Sequence, residues 1–145
     1  AAAALVAVAT AIGLVGRARA GRARAVRGAA GHEPHRETLH ALRLSDDDLG
    51  EAATLVQFTS EFCAQCGGAA RRLDQVAGDY AGVRRVEVDL TDAPEIAAHF
   101  RVLQTPTTLI LDAAGTPVAR IGGLPRAEAV RAHLDRLSGS PHVAA

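Results

Sequence analysis

From about residue 39 the chain settles into alternating apolar runs and amphipathic stretches. TLVQFTS (54–60) is β-branched and apolar and predicts a central strand. Residues 63–78 follow a helical rhythm: Cys66, Ala69 or Ala70, Leu73, and Val76 or Ala77 fall on one stripe that continues to Tyr80. VRRVEVDL (83–90) predicts a second strand. Thr91 or Asp92 then caps a helix with Pro94 and Glu95 in its first turn and Ile96 and Phe100 on one face. TTLILD (107–112) and PVARI (117–121) read as a hairpin around an Asp112–Gly115 turn, with Pro117 suited to an edge strand. Gly122-Gly123 breaks that strand. A last helix starts near Pro125 and aligns Val130, Leu134 and Leu137. Two shorter features precede this series. LHALRL (39–44) is expected to form an edge strand, and Ser45 to cap a short turn rich in Asp.

The order β-α-β-α-β-β-α predicts an α/β domain over residues 39–138: a central mixed sheet flanked by helices, parallel at first and closed by an antiparallel hairpin. Residues 139–145 are expected to form a flexible tail.

The N-terminal third has a different character. Residues 1–16 carry no charge and would make about 24 Å of helix, short of the ~30 Å hydrocarbon core of a bilayer. Residues ahead of Ala1 would close the gap, and the lack of Met at position 1 points to a missing native start. Arg17, Arg19, Arg22, Arg24 and Arg27 follow, and positive charge after an apolar helix holds that flank in the cytoplasm. We therefore expect a single-pass membrane anchor over 1–16, an Arg-rich flank and linker over 17–38, and a cytoplasmic domain. A cleaved signal peptide, cut at Ala18-Arg19-Ala20 or Ala23-Arg24-Ala25, stays open and implies export, although five Arg resist translocation. A soluble Ala-rich helix is the third reading. His32, His35 and His40 are expected to be solvated linker residues, because no predicted rigid element fixes them as metal ligands.

Composition sharpens this division. The 16 basic residues balance 16 acidic ones, yet residues 1–44 carry a net +5 and residues 45–145 a net −5. All the basic residues are Arg, and Lys, Asn, Met and Trp are absent beside 32 Ala, the mark of a GC-rich bacterial genome. With 48% apolar residues the chain is not disordered. Aromatics make up only 3%, which argues against base stacking and a nucleic-acid partner. Two Cys are too few for a disulfide-dense scaffold or a four-thiolate zinc site.

Those two cysteines, Cys63-Ala64-Gln65-Cys66, sit between the predicted central strand and its helix. Cys66 lies on the buried stripe. Cys63 precedes it at the helix N-terminus, where the dipole and free N–H groups favour a thiolate. Cys63 is thus the candidate nucleophile and Cys66 the resolving thiol. A structural disulfide and half a zinc site are the rival readings. Zinc would need two more ligands, and only His99 and His133 lie in the regular part after the first strand. We expect no metal and no cofactor.

LVQFTSEFCAQC, Thr105-Pro106-Thr107 about 40 residues later, and Ile121-Gly122-Gly123 together resemble the thioredoxin-like superfamily over residues ~50–138. The whole chain resembles small membrane-tethered members from actinobacteria. The resemblance implies a thioredoxin-like fold preceded by an apolar helix. It also implies a monomeric thiol-disulfide oxidoreductase that reduces protein disulfides through a mixed disulfide and takes electrons from an upstream donor. Pro106 would be a cis-proline shielding the thiols, the Thr105 backbone would pair with an extended client, Phe62 would offer an apolar docking surface, and Gly122 would allow close approach of a partner. The bland readings are a trans proline, a core-capping Phe and a plain turn. Two alternatives remain open: an exported TlpA-like reductase of cytochrome or metallochaperone cysteines, and a non-catalytic binding module.

The chain departs from that pattern in three places. Ala64-Gln65 stands where thioredoxins usually have Gly-Pro, and Gln57 stands where they keep a buried Asp that assists the resolving thiol. Gly67-Gly68 follows Cys66 directly and is expected to loosen the first helical turn. Arg85, Glu87 and Asp89 alternate along the neighbouring strand as a solvated or ion-paired face.

Overall fold

The computed structural model describes residues 2–19, 21, 23–25 and 34–139. Its elements are α1 (Ala2–Arg19), β1 (Ala23–Ala25), α2 (Pro34–Leu42), a single 3-10 turn (Asp46–Asp48), β2 (Ala53–Thr59), α3 (Cys66–Gly78), β3 (Val83–Asp89), α4 (Pro94–His99), β4 (Thr107–Asp112), β5 (Pro117–Gly122) and α5 (Ala127–Ser138).

β2 is buried along its whole length because strands flank it on both sides and helices cover both faces. It pairs parallel with β3 and antiparallel with β4, and β4 pairs antiparallel with β5. The alternation of side chains along β2 divides the core into two layers. Leu55 packs with Leu73, Val76 and Tyr80 of the α3 side and Val130 and Leu134 of α5. Val56 and Phe58 face the other way, onto Leu42, Ile96 and Phe100. The Phe58 and Phe100 rings lie 5.6 Å apart. The mixed α/β sheet flanked by helices is the one the sequence pattern predicts.

Several expectations need correction. The edge strand expected over 39–44 is instead the end of helix α2. Thr38, Leu39 and Leu42 are the buried residues there, a helical spacing, and Leu42 inserts into the α4 layer of the core. The Arg-rich flank and linker expected over 17–38 contributes structure of its own. Residues 17–19 extend α1, Ala23–Ala25 form a fifth strand antiparallel to Ala119–Ile121 of β5, and α2 begins at Pro34. Arg22, Arg27 and His32 lie outside the described residues, as do positions 140–145 of the predicted tail.

α1 is 18 residues long, about 27 Å, and takes in Arg17 and Arg19. Among the described residues no helix is long and apolar enough to cross a membrane. α1 by itself, without the residues expected ahead of Ala1, does not make the span expected over 1–16.

Capping follows expectation at Ser45, the N-cap of the Asp-rich turn, and differs at α4. Asp48 accepts hydrogen bonds from the Ser45 N–H (2.8 Å) and hydroxyl (2.9 Å), so the predicted cap works mainly through the acid. α4 starts after Ala93 rather than Thr91 or Asp92. Thr91 is occupied elsewhere: its hydroxyl donates to Asp89 (2.6 Å) and accepts from the Glu61 N–H (2.9 Å), tying the end of β3 to the cysteine loop.

Candidate active site at the β2–α3 turn

The sheet register brings the distant motifs to one end of the molecule. Phe58 of β2 lies opposite Thr107 of β4, and Thr107 lies opposite Gly122 of β5. The segments just past those residues are the cysteine loop, the Thr105-Pro106 loop and the Gly122-Gly123 turn, so all three converge. Two hydrogen bonds lock the convergence. The Ser60 and Thr105 hydroxyls lie 2.8 Å apart, and the Gly123 N–H donates to the Pro106 carbonyl at 2.8 Å. The Thr105–Pro106 peptide is cis.

Cys63 and Cys66 are joined in a disulfide, with S–S 2.06 Å and Cα–Cα 5.4 Å. α3 begins at Cys66, three residues later than the helix the sequence pattern predicts. Cys63 sits in the preceding turn: its N–H donates to the Ser60 carbonyl, and its own carbonyl accepts from the Cys66 N–H, each at 3.2 Å. Cys66 is buried on the stripe shared with Ala69, Leu73 and Val76, whereas Cys63 is half-buried. Only the exposed member of such a pair can be reached by an external sulfur. This supports the division between attacking and resolving cysteine.

Gln57 is completely buried in β2. Its Nε2 donates to the Cys66 carbonyl at 2.9 Å, and its Oε1 accepts from Arg85 Nη1 at 3.3 Å. Arg85 is also held by Asp74 of α3 at 2.6 Å and by Glu87 at 3.3 Å. The hydrogen bond that Arg85 donates to Asp74 raises the guanidinium pKa above its ordinary range, against the opposing effect of burial. Arg85 and Glu87 thus form the ion-paired face the sequence predicts, and Arg85 joins that face to the site.

The predicted docking residues divide. Phe62 is 91% exposed beside Cys63, so it does not cap the core. Leu103, in the loop before Thr105, is 96% exposed and was not singled out by sequence. Its signal was a large apolar residue two positions before Thr105 that lies on no predicted stripe. At Gly122 a Cβ would lie only 2.6 Å from Gln104 Nε2. The Gly122 carbonyl accepts from the Gly21 N–H at 2.8 Å. The exposed Gln104 side chain therefore lies over the Gly122 α-carbon, on the face expected to be open.

Among the described residues no three His, Cys, Asp or Glu side chains gather as metal ligands. His35 instead pairs with Asp46 at 3.0 Å, far along the chain from the cysteines, and His40 is exposed.

A disulfide-bonded cysteine pair at a strand-to-helix turn of a mixed sheet, set beside the Thr105-Pro106 loop, is the arrangement of a thiol-disulfide oxidoreductase of thioredoxin fold. Comparison with known proteins agrees. A model of the thioredoxin family matches residues 43–136. A thioredoxin of Staphylococcus saprophyticus is 35% identical over 94 residues, covering 61% of this chain and 89% of the relative. A thioredoxin of Mycolicibacterium smegmatis is 37% identical over 83 residues, covering 54% and 73%. Among solved structures, chloroplastic thioredoxin z superposes with a TM-score of 0.54 at 26% identity, covering 62% of this chain and 81% of its own. The chain belongs to the thioredoxin family.

Proposed function

We propose that this protein reduces disulfides in client proteins. The reduced form attacks with the Cys63 thiolate. One client sulfur joins Cys63 in a mixed disulfide, and the other leaves as a thiolate and takes a proton from solvent. Cys66, deprotonated to water, then attacks Cys63 Sγ. The Cys63–Cys66 bond forms, the Cys63–client bond breaks, and the second client thiolate departs. The client gains two electrons and the protein is left as the disulfide seen here, to be recharged by an upstream dithiol donor. The observation that carries this reading is the asymmetry of the pair: a half-buried Cys63 flanked by exposed Phe62, and a buried Cys66 behind it.

The test is reduction of insulin by the dithiol form. Cys63→Ser is expected to abolish turnover, and Cys66→Ser to accumulate a mixed disulfide with the client. Turnover that survives Cys63→Ser overturns the assignment.

We also propose that the domain works as a monomer on the cytoplasmic face of the cell membrane, where a reducing environment drives dithiols to act as donors. The uncharged run at 1–16 and the five Arg that follow support this placement. A reporter active only outside the cytoplasm, fused after residue 145 of the full-length protein, is expected to stay silent; an active reporter excludes the placement.

A further inference from the structure

We infer that Arg85 is a positioning residue for the resolving cysteine, acting through Gln57. The inference deepens the disulfide-reductase reading and rests on it.

Three observations meet at one side chain. Gln57 is completely buried, so both ends of its amide must find partners inside the protein. Its two neighbours dictate which way the amide points. A guanidinium can only donate, so Arg85 requires the carbonyl end, Oε1, at 3.3 Å. The Cys66 carbonyl can only accept, so it requires the amino end, Nε2, at 2.9 Å. The cation on the Oε1 side also polarises the amide and strengthens its Nε2–H as a donor. Arg85 is itself fixed by Asp74, two turns further along the same helix that begins at Cys66. A closed loop of contacts results: the start of α3 through Gln57, the middle of α3 through Asp74, and Arg85 on β3 holding both.

The loop bears on the second chemical step. Gln cannot titrate, so Gln57 cannot take the Cys66 proton. What it supplies is a fixed place for the Cys66 backbone while Cys63 is engaged with the client. Without Arg85, Oε1 of Gln57 is left buried and unpaired, and only the single bond from Nε2 to the Cys66 carbonyl holds the amide in place. The first attack, by Cys63 in the turn ahead of the helix, needs none of these contacts. Arg85 therefore acts on the resolution of the mixed disulfide and not on its formation.

The experiment traps the mixed disulfide between the reduced full chain and insulin by rapid acid quench and alkylation. For Arg85→Gln the intermediate is expected to persist about tenfold longer, the effect of losing one charge-assisted hydrogen bond, while its rate of formation changes less than about twofold. Arg85→Lys, which keeps a donor cation, is expected to recover most of the resolution rate. Gln57→Leu should slow resolution similarly, and Arg85→Gln added to it should slow it no further. Asp74→Asn, an exposed and milder change, should lengthen the lifetime in the same direction and keeps the test available if Arg85→Gln fails to fold. Wild-type resolution in Arg85→Gln and Asp74→Asn, or multiplicative effects of the Arg85 and Gln57 changes, overturns the inference. Absence of any trapped species with Cys66→Ser overturns the reductase reading instead; a trapped species there with unaltered Arg85 variants overturns only the role of Arg85.

Discussion

Ser60 and Thr105, 45 residues apart in sequence, share a hydroxyl–hydroxyl hydrogen bond of 2.8 Å. The bond joins the loop that carries Cys63 to the loop that carries Pro106. Ser60→Ala and Thr105→Val are each expected to lower stability by about 1 kcal/mol. The double variant should lose less than the sum, with a coupling of about 0.5–1.5 kcal/mol. Urea unfolding of the four proteins measures this, and strict additivity would contradict it.

Phe62 and Leu103 stand almost wholly in solvent on the loops beside the disulfide. Replacing both with Ser removes no core contact, so the unfolding midpoint should move little. Reduction of insulin should fall several-fold through KM, because a protein client has apolar surface to cover and each such side chain contributes roughly 1.5–3 kcal/mol when fully buried. Reduction of a small aromatic disulfide, which cannot span both side chains, should be nearly unchanged. Equal loss on both substrates would show that the two residues do not form a docking surface.

Tyr80 closes the α3 layer of the core, and its hydroxyl donates to Asp135 at 2.6 Å. Burial foremost, and then the bond to Asp135, push its phenol well above the ordinary tyrosine range. A phenol whose pKa is raised by folding stabilises the native state fully below its unfolded pKa of about 10 and loses that contribution as pH rises beyond it. Tyr80→Phe should therefore cost about 1–2 kcal/mol near neutrality. The gap from wild type should narrow above pH 10. A gap that widens there would reverse the sign of the argument.

Gly67 lies exposed in the first turn of α3, and a Cβ built there meets nothing closer than Arg71 Nη1 at 3.6 Å. The position does not require glycine for space. Gly67→Ala is expected to stabilise the protein by about 0.5–1 kcal/mol by restricting the unfolded chain. Thermal unfolding checks this, and a lower Tm would place a demand on Gly67 that its surroundings do not show.

Elements with a strong period were legible in the sequence. β2 is a solid apolar run, and α3 and α5 carry clear stripes, so type and order follow directly. α2 was not legible because its buried residues, Thr38, Leu39 and Leu42, cluster within the last two turns and mimic a short apolar strand. β1 was hidden for a different reason. Its ARA pattern has no strand character, and backbone pairing to β5 alone makes it a strand. In the site, Cys63, Cys66 and Pro106 announced themselves by spacing. Arg85 and Ser60 did not, since their roles come from sheet register and loop convergence, which a one-dimensional pattern does not encode. Gln57 was visible as a polar residue in an apolar strand, but its two partners were not.

β1 has a bearing on how the protein meets its surroundings. It runs antiparallel along β5, so the chain comes in at Gly21 directly beside Gly122. Whatever precedes Gly21 therefore joins the domain at the end of the sheet that bears the cysteine loop, not at the opposite end. The N-terminal segment therefore meets the domain on the same side as the disulfide, where the exposed side chains of Phe62 and Leu103 also stand.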